Sequence, residues 1–82
     1  MIEEKVRELI SKKLESKGFT IDSIVYEKVD NNNFLRIFID HNEGIDLDKC
    51  VEATNIISPL LDEKDFIKES YILDVSSSGK EV

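Results

Sequence analysis

The stretch Asp30-Asn31-Asn32-Asn33-Phe34-Leu35-Arg36-Ile37-Phe38-Ile39-Asp40 decides the fold. Leu35, Ile37 and Ile39 alternate with Phe34, Arg36, Phe38 and Asp40. That is the two-residue period of a strand with unlike faces. The polar run before it has short side chains that tolerate positive φ and bond their own backbone, so it reads as a turn. Upstream, Phe19 to Val29 is rich in β-branched residues and reads as a strand. Two strands joined by such a turn make an antiparallel hairpin.

Working outward, Ile2 to Lys17 reads as an amphipathic helix. Ile2, Val6, Leu9, Ile10 and Leu14 recur at three- and four-residue steps, with charged residues opposite. Gly18 stands where a left-handed C-terminal cap belongs. After the hairpin, His41-Asn42-Glu43-Gly44 is a loop. Asp46 is a good N-cap for a second helix, and Asp48 in its first turn suits the positive helix end. Leu47, Cys50, Val51, Thr54, Ile57 and Leu61 form its expected apolar stripe, and Pro59 predicts a kink or restart near Ser58. Asp62 to Lys68 reads as a polar connection with Phe66 and Ile67 tucked beneath it. Ser70 to Ser76 is a third strand, and residues 76–82 read as a flexible tail.

The order is therefore α-β-β-α-β within one domain, residues 1–82. Each helix has one apolar stripe, so both belong on the same face of the sheet. The expected architecture is an α+β two-layer sandwich with two helices on a three-stranded mixed sheet. The far face would carry Val25, Phe34, Arg36, Phe38 and Ile72, more apolar than a solvated sheet surface needs. It suits a partner surface, or the packing site of something outside this sequence.

Composition bounds the function. The chain has 82 residues, 40% hydrophobic and 35% charged, with a formal net charge of −7. An acidic domain is poorly suited to phosphate-driven nucleic-acid binding and accepts a basic protein partner more easily, although acidity also simply keeps a small domain soluble. Cys50 is the single cysteine, which excludes an internal disulfide framework and fits a reducing cytoplasm. Met1 to Lys17 lacks an uninterrupted apolar run, so neither a signal peptide nor a membrane span is expected.

The reactive residue types form no catalytic pattern. His41 reads as a surface-loop histidine without an oriented nucleophile, and Cys50 as a small hydrophobe on a helical stripe. Asp40, Asn42, Glu43, Asp46 and Asp48 bring several oxygen ligands close together, but their spacing departs from the calcium-loop pattern. No phosphate loop, dinucleotide fingerprint or zinc spacing occurs. The expectation is no catalytic residue, no cofactor, no metal and no small-molecule substrate. The element order overlaps that of KH-type RNA-binding domains, yet their GXXG clamp is missing.

One set of segments looks familiar together. They are Ile24-Val25-Tyr26, Phe34-Leu35-Arg36-Ile37-Phe38-Ile39-Asp40, Gly44-Ile45-Asp46-Leu47-Asp48-Lys49-Cys50, Ser58-Pro59-Leu60-Leu61-Asp62 and Tyr71-Ile72-Leu73-Asp74-Val75-Ser76-Ser77-Ser78-Gly79. In order and interval they resemble the N-terminal domain of ribosome maturation factors of the RimP family, whose pattern runs L-R-V-Y-I-D, G-I-T-L-D-D-C, S-x-x-L-D and Y-x-L-E-V-S-S-P-G. Asp46 stands for the usual threonine, an equivalent cap, and Ser78 for the usual proline. The resemblance implies a cytoplasmic, non-enzymatic, monomeric factor that binds the immature small (30S) ribosomal subunit, through ribosomal protein and 16S rRNA. It also implies a second, barrel-like domain beyond Gly79, which this sequence does not contain. The residues it nominates for partner contact are Arg36, Asp40, Gly44, Asp48, Ser76, Ser77 and Gly79. A KH-like RNA-binding module and a plain interaction domain using Phe34, Phe38 and Ile72 remain alternatives.

Overall fold

A computed structural model describes residues 1–65 and 67–78. Its elements follow the order α1 (Ile2–Ser16), β1 (Phe19–Val29), β2 (Asn32–His41), α2 (Leu47–Lys64) and β3 (Ile72–Ser77). The three strands form one sheet in the order β1-β2-β3. β1 runs antiparallel to β2, and β3 runs parallel to it. The mixed α+β architecture expected from the pattern is the one found.

β2 is central, and its alternation builds the core. Leu35, Ile37 and Ile39 are fully buried together with Val6, Ile10 and Leu14 of α1 and Ala53 and Ile57 of α2. The turn into β2 is tighter than expected. Only Asp30 and Asn31 lie outside the strands, with φ of 56° and 99°. That left-handed pair joins Val29 directly to Asn32, the geometry that matches strand twist in a two-residue hairpin. Asn33 instead lies in β2, and its amide donates to the Ser70 carbonyl at 3.1 Å. At the other end a register shift between Ile21 and Ser23 marks a bulge.

α1 stops where expected. The Gly18 N–H donates to the Glu15 carbonyl, and Gly18 takes φ +89°. An added Cβ there would lie 2.9 Å from Asn42 Oδ1 and 3.0 Å from His41 Nε2, so both backbone angle and space demand glycine. His41 is correspondingly not a surface residue. It is the last residue of β2, 9% exposed, with its ring edge-on to Phe19 at 4.7 Å. Its Nδ1 accepts the Glu43 N–H at 3.0 Å, which leaves the proton on Nε2 to donate to the Lys17 carbonyl at 2.9 Å. One imidazole thus ties the end of α1 to the loop after β2.

α2 departs from the expectation in three ways. It runs unbroken through Pro59 to Lys64, and Asp65 closes it in the left-handed region with its N–H on the Leu61 carbonyl at 2.8 Å. Pro59 is exposed, so water can serve the carbonyl one turn earlier that lacks its helical donor. Leu47 and Val51 are 77% and 52% exposed, because the inward stripe is Ala53, Ile57 and Leu61, flanked by Ile56 and Leu60. The Asp46 cap is as expected, its carboxylate accepting from the Lys49 N–H at 2.9 Å. Ile67 is buried; the expectation for Phe66 lies outside the described residues. β3 begins later than expected and continues through Ser77. Ser76 and Ser77 pair with Phe38 and Ile39, and the Ser78 N–H reaches the Ile39 carbonyl at 2.8 Å, so residues 76–78 are held to the sheet, and the rest of the expected tail lies outside the described residues.

Gly18→Ala is expected to destabilise the domain by at least about 1–2 kcal/mol, the cost of a left-handed L-residue before any clash. His41→Ala should cost about 1–3 kcal/mol by stripping partners from two backbone groups. Because the two residues touch, urea unfolding of the double variant should show less than the sum of the single losses.

Candidate functional site

The sheet face away from the helices gathers one cluster around Arg36. The hairpin register sets Glu27 opposite Phe34, Val25 opposite Arg36 and Ser23 opposite Phe38. The parallel register sets Ile72, Asp74 and Ser76 beside the same three β2 residues. Arg36 is therefore the centre of a three-by-three patch. Its Nε lies 2.9 Å from Glu27 Oε2, and its other guanidinium nitrogen lies 4.0 Å from Asp74 Oδ2. The Nε–H is not aimed at the oxygen, so the close contact is an ion pair without a well-formed hydrogen bond. The guanidinium carbon stands 4.9 Å from the Phe34 ring centroid, within cation–π range. Ser76 donates to Asp74 Oδ1 at 3.0 Å, steadying that carboxylate. Ile72 remains 49% exposed at the edge.

The nominated residues do not gather in one place. Arg36 and Ser76 lie in this patch, and Asp40 lies on the same face toward its end, its Oδ1 accepting the His41 N–H at 2.8 Å. Ser77 shares the register position of Ile39 and so belongs to the helix side of the sheet. Gly44 and Asp48 are elsewhere. Gly44 has φ +96° in the loop after β2 and donates its N–H to the His41 carbonyl. Asp48 is exposed in the first turn of α2. Gly79 lies outside the described residues. Glu27 and Asp74, the charged partners of Arg36, were not singled out from the sequence. A two-residue turn at Asp30-Asn31 was the signal that would have aligned Glu27 beside Phe34 and next to Arg36.

A family model described as the RimP N-terminal domain matches residues 9–81. The match spans nearly all of the chain. The chain belongs to the RimP N-terminal domain family. It therefore carries a domain of ribosome maturation factors. Among the described residues, no three His, Cys, Asp or Glu side chains gather as a metal site, and no helix is long and apolar enough to cross a membrane.

Among the concavities of this RimP N-terminal domain is a small cleft of about 60 Å³ lined by Leu61, Asp62, Asp65, Ile67 and Tyr71. Organic ligands occupy roughly 300–1,000 Å³, so the cleft by itself is too small for one, although the open depression of about 450 Å³ that shares Asp62, Asp65, Ile67 and Tyr71 with it is not. The cleft is acidic around the Tyr71 phenol, and Tyr26 stands near enough to influence that phenol. Burial, and after it the Glu69 carboxylate, pushes the Tyr26 phenol above its ordinary value of 10.0. The buried Tyr26 hydroxyl completes no well-formed hydrogen bond among the described residues. Burial likewise raises Tyr71, followed by the charges of Asp62 and Asp65. Burial also raises the Cys50 thiol, with Asp46 adding to it, which makes the thiol less reactive.

Because both phenols are raised, the folded state holds its protons where an unfolded tyrosine begins to lose them. The stability they contribute is complete below an unfolded pKa of about 10 and is lost as pH rises through the higher folded value. Urea denaturation at stepped alkaline pH should show this decline in the parent. Replacing Tyr26 and Tyr71 together by Phe should reduce it, leaving the part contributed by the Cys50 thiol.

Proposed function

We propose that the chain is the N-terminal binding domain of a cytoplasmic, non-enzymatic maturation factor that engages the immature small ribosomal subunit and assists its assembly. The observation that carries this reading is the family match over residues 9–81. The contact surface in this reading is the Arg36 patch, with Asp40 and Ser76 at its margin. Three features support it. The patch combines exposed Ile72 and half-buried Val25, Phe34 and Phe38 with a charge that is oriented rather than free. Arg36 is held between two carboxylates, so it can form directed hydrogen bonds without presenting net positive charge. A formal net charge of −7 disfavours bare RNA and favours a basic ribosomal protein within the subunit. Gly44 and Asp48 have sufficient local duties, a left-handed turn and a favourable charge at a helix start.

The test is co-sedimentation of the full-length factor with immature and with mature small subunits. Preferential recovery with the immature particle is expected, and absence from both fractions would remove the reading. Arg36→Gln should lower recovery by about tenfold if Arg36 is a central contact. It should change unfolding stability by no more than about 1 kcal/mol, since partly exposed ion pairs contribute little. Recovery equal to the parent would exclude the Arg36 patch as the contact surface.

A further inference from the structure

α2 leaves an apolar ridge in solvent that the core does not require. Leu47 and Val51 stand one turn apart, 77% and 52% exposed, and Asn55 and exposed Pro59 continue the same four-residue row. The inward stripe of α2 is filled by Ala53, Ile57 and Leu61. Two aliphatic side chains at the start of a helix, spaced i, i+4 and turned to water, have the form of anchors for a bound segment. Their surroundings are acidic on balance. Asp46, Asp48 and Glu52 are exposed beside them, and the nearby Lys49 lies 4.0 Å from Glu43.

We propose that the Leu47–Val51 ridge is a second docking surface, and that its occupant is a basic amphipathic protein segment placing an aliphatic side chain between Leu47 and Val51. Charge complementarity selects this occupant. Nucleic acid would bring phosphates against four carboxylates. A second copy of the chain packed ridge to ridge would bring those same carboxylates face to face. A lysine- or arginine-bearing segment meets them with opposite charge while the aliphatic contact supplies desolvation. The surface lies on a helix rather than on the Arg36 sheet face, and the inference does not require the small-subunit reading.

The test is a titration of the full chain, followed by amide NMR shifts, with a synthetic Lys/Leu amphipathic helix peptide. A Lys/Ser peptide of the same charge and a small-subunit RNA fragment serve as competitors in class. The Lys/Leu peptide is expected to shift amides across residues 46–55 and to bind at least about tenfold more tightly than the Lys/Ser peptide. Leu47→Ser, which keeps every carboxylate and removes an exposed side chain, should abolish that tenfold difference. Equal binding of the two peptides, shifts confined to the sheet face, or tighter binding of RNA would overturn the proposal. Concentration-dependent self-association in light scattering that Leu47→Ser removes would overturn it in favour of a second copy. Peptide binding at the ridge by a factor that fails to co-sediment with small subunits would leave this inference standing and remove the earlier one.

Discussion

The burial of Leu35, Ile37 and Ile39 on one side of the central strand is the constraint on which the rest depends. All three lose their solvent exposure entirely, under both helices. A one-residue slip of β2 would turn these side chains outward and drive Arg36 into the apolar layer. An unpaired guanidinium there would cost far more than any single contact returns. The register is pinned at both ends, by the left-handed Asp30-Asn31 turn and by the bulge between Ile21 and Ser23. The Arg36 patch follows from that register: with the inward set chosen, Phe34, Arg36 and Phe38 have only the far face to occupy.

The same strand also locates the helices. His41 ends β2 with its ring against Phe19, receiving one backbone N–H and serving one backbone carbonyl. Beside it the Asn42 N–H bonds the Gly18 carbonyl at 3.0 Å, and the Gly44 N–H bonds the His41 carbonyl at 3.0 Å. The loop that launches α2 is therefore fastened to the end of α1 by a short chain of hydrogen bonds. On the outer edge of the sheet, Glu3 of α1 accepts the Tyr26 N–H at 3.3 Å. This contact and the bulge occupy the β1 edge, where an unguarded strand would invite another chain.

Periodicity was legible wherever one face of an element meets the core. The β1 bounds, the α1 stripe, the Asp46 cap and the inward set of β2 all follow from local pattern. The failures share a cause: each depended on what lay across space. His41 read as a loop residue because its partners, Lys17 and Phe19, are more than twenty positions away. Leu47 and Val51 read as core because apolar spacing cannot say which of two adjacent helical rows turns inward. Ala53, the smallest apolar side chain, holds the inward row because it lets α2 approach the sheet closely. Pro59 read as a break because its missing donor is costly only where the orphaned carbonyl is sheltered from water. Ser77 read as tail because serine favours turns, whereas its pairing with Ile39 keeps it in the strand. On the far sheet face the place of Arg36 was legible, and its charged neighbours Glu27 and Asp74 were not, since both reach it only through register.

The two exposed surfaces differ in how they handle charge, and the difference bears on what each can bind. On the sheet face the cation is enclosed: Glu27 and Asp74 flank Arg36, and the Phe34 ring takes part of its field. Such a face has fixed donors but little net potential, so it discriminates by shape and hydrogen-bond direction more than by long-range attraction. On α2 the carboxylates stand apart around two aliphatic side chains, and Lys49 is already beside Glu43. That arrangement acts at a distance and weakens with salt, while the aliphatic pair acts only on contact. A partner drawn first to α2 would arrive faster at low ionic strength. A partner held by the Arg36 patch would differ mainly in how slowly it leaves. Both surfaces are poor matches for a phosphate backbone, one because its cation is already neutralised and the other because it is acidic. At these two surfaces a protein partner is therefore favoured over a phosphate backbone.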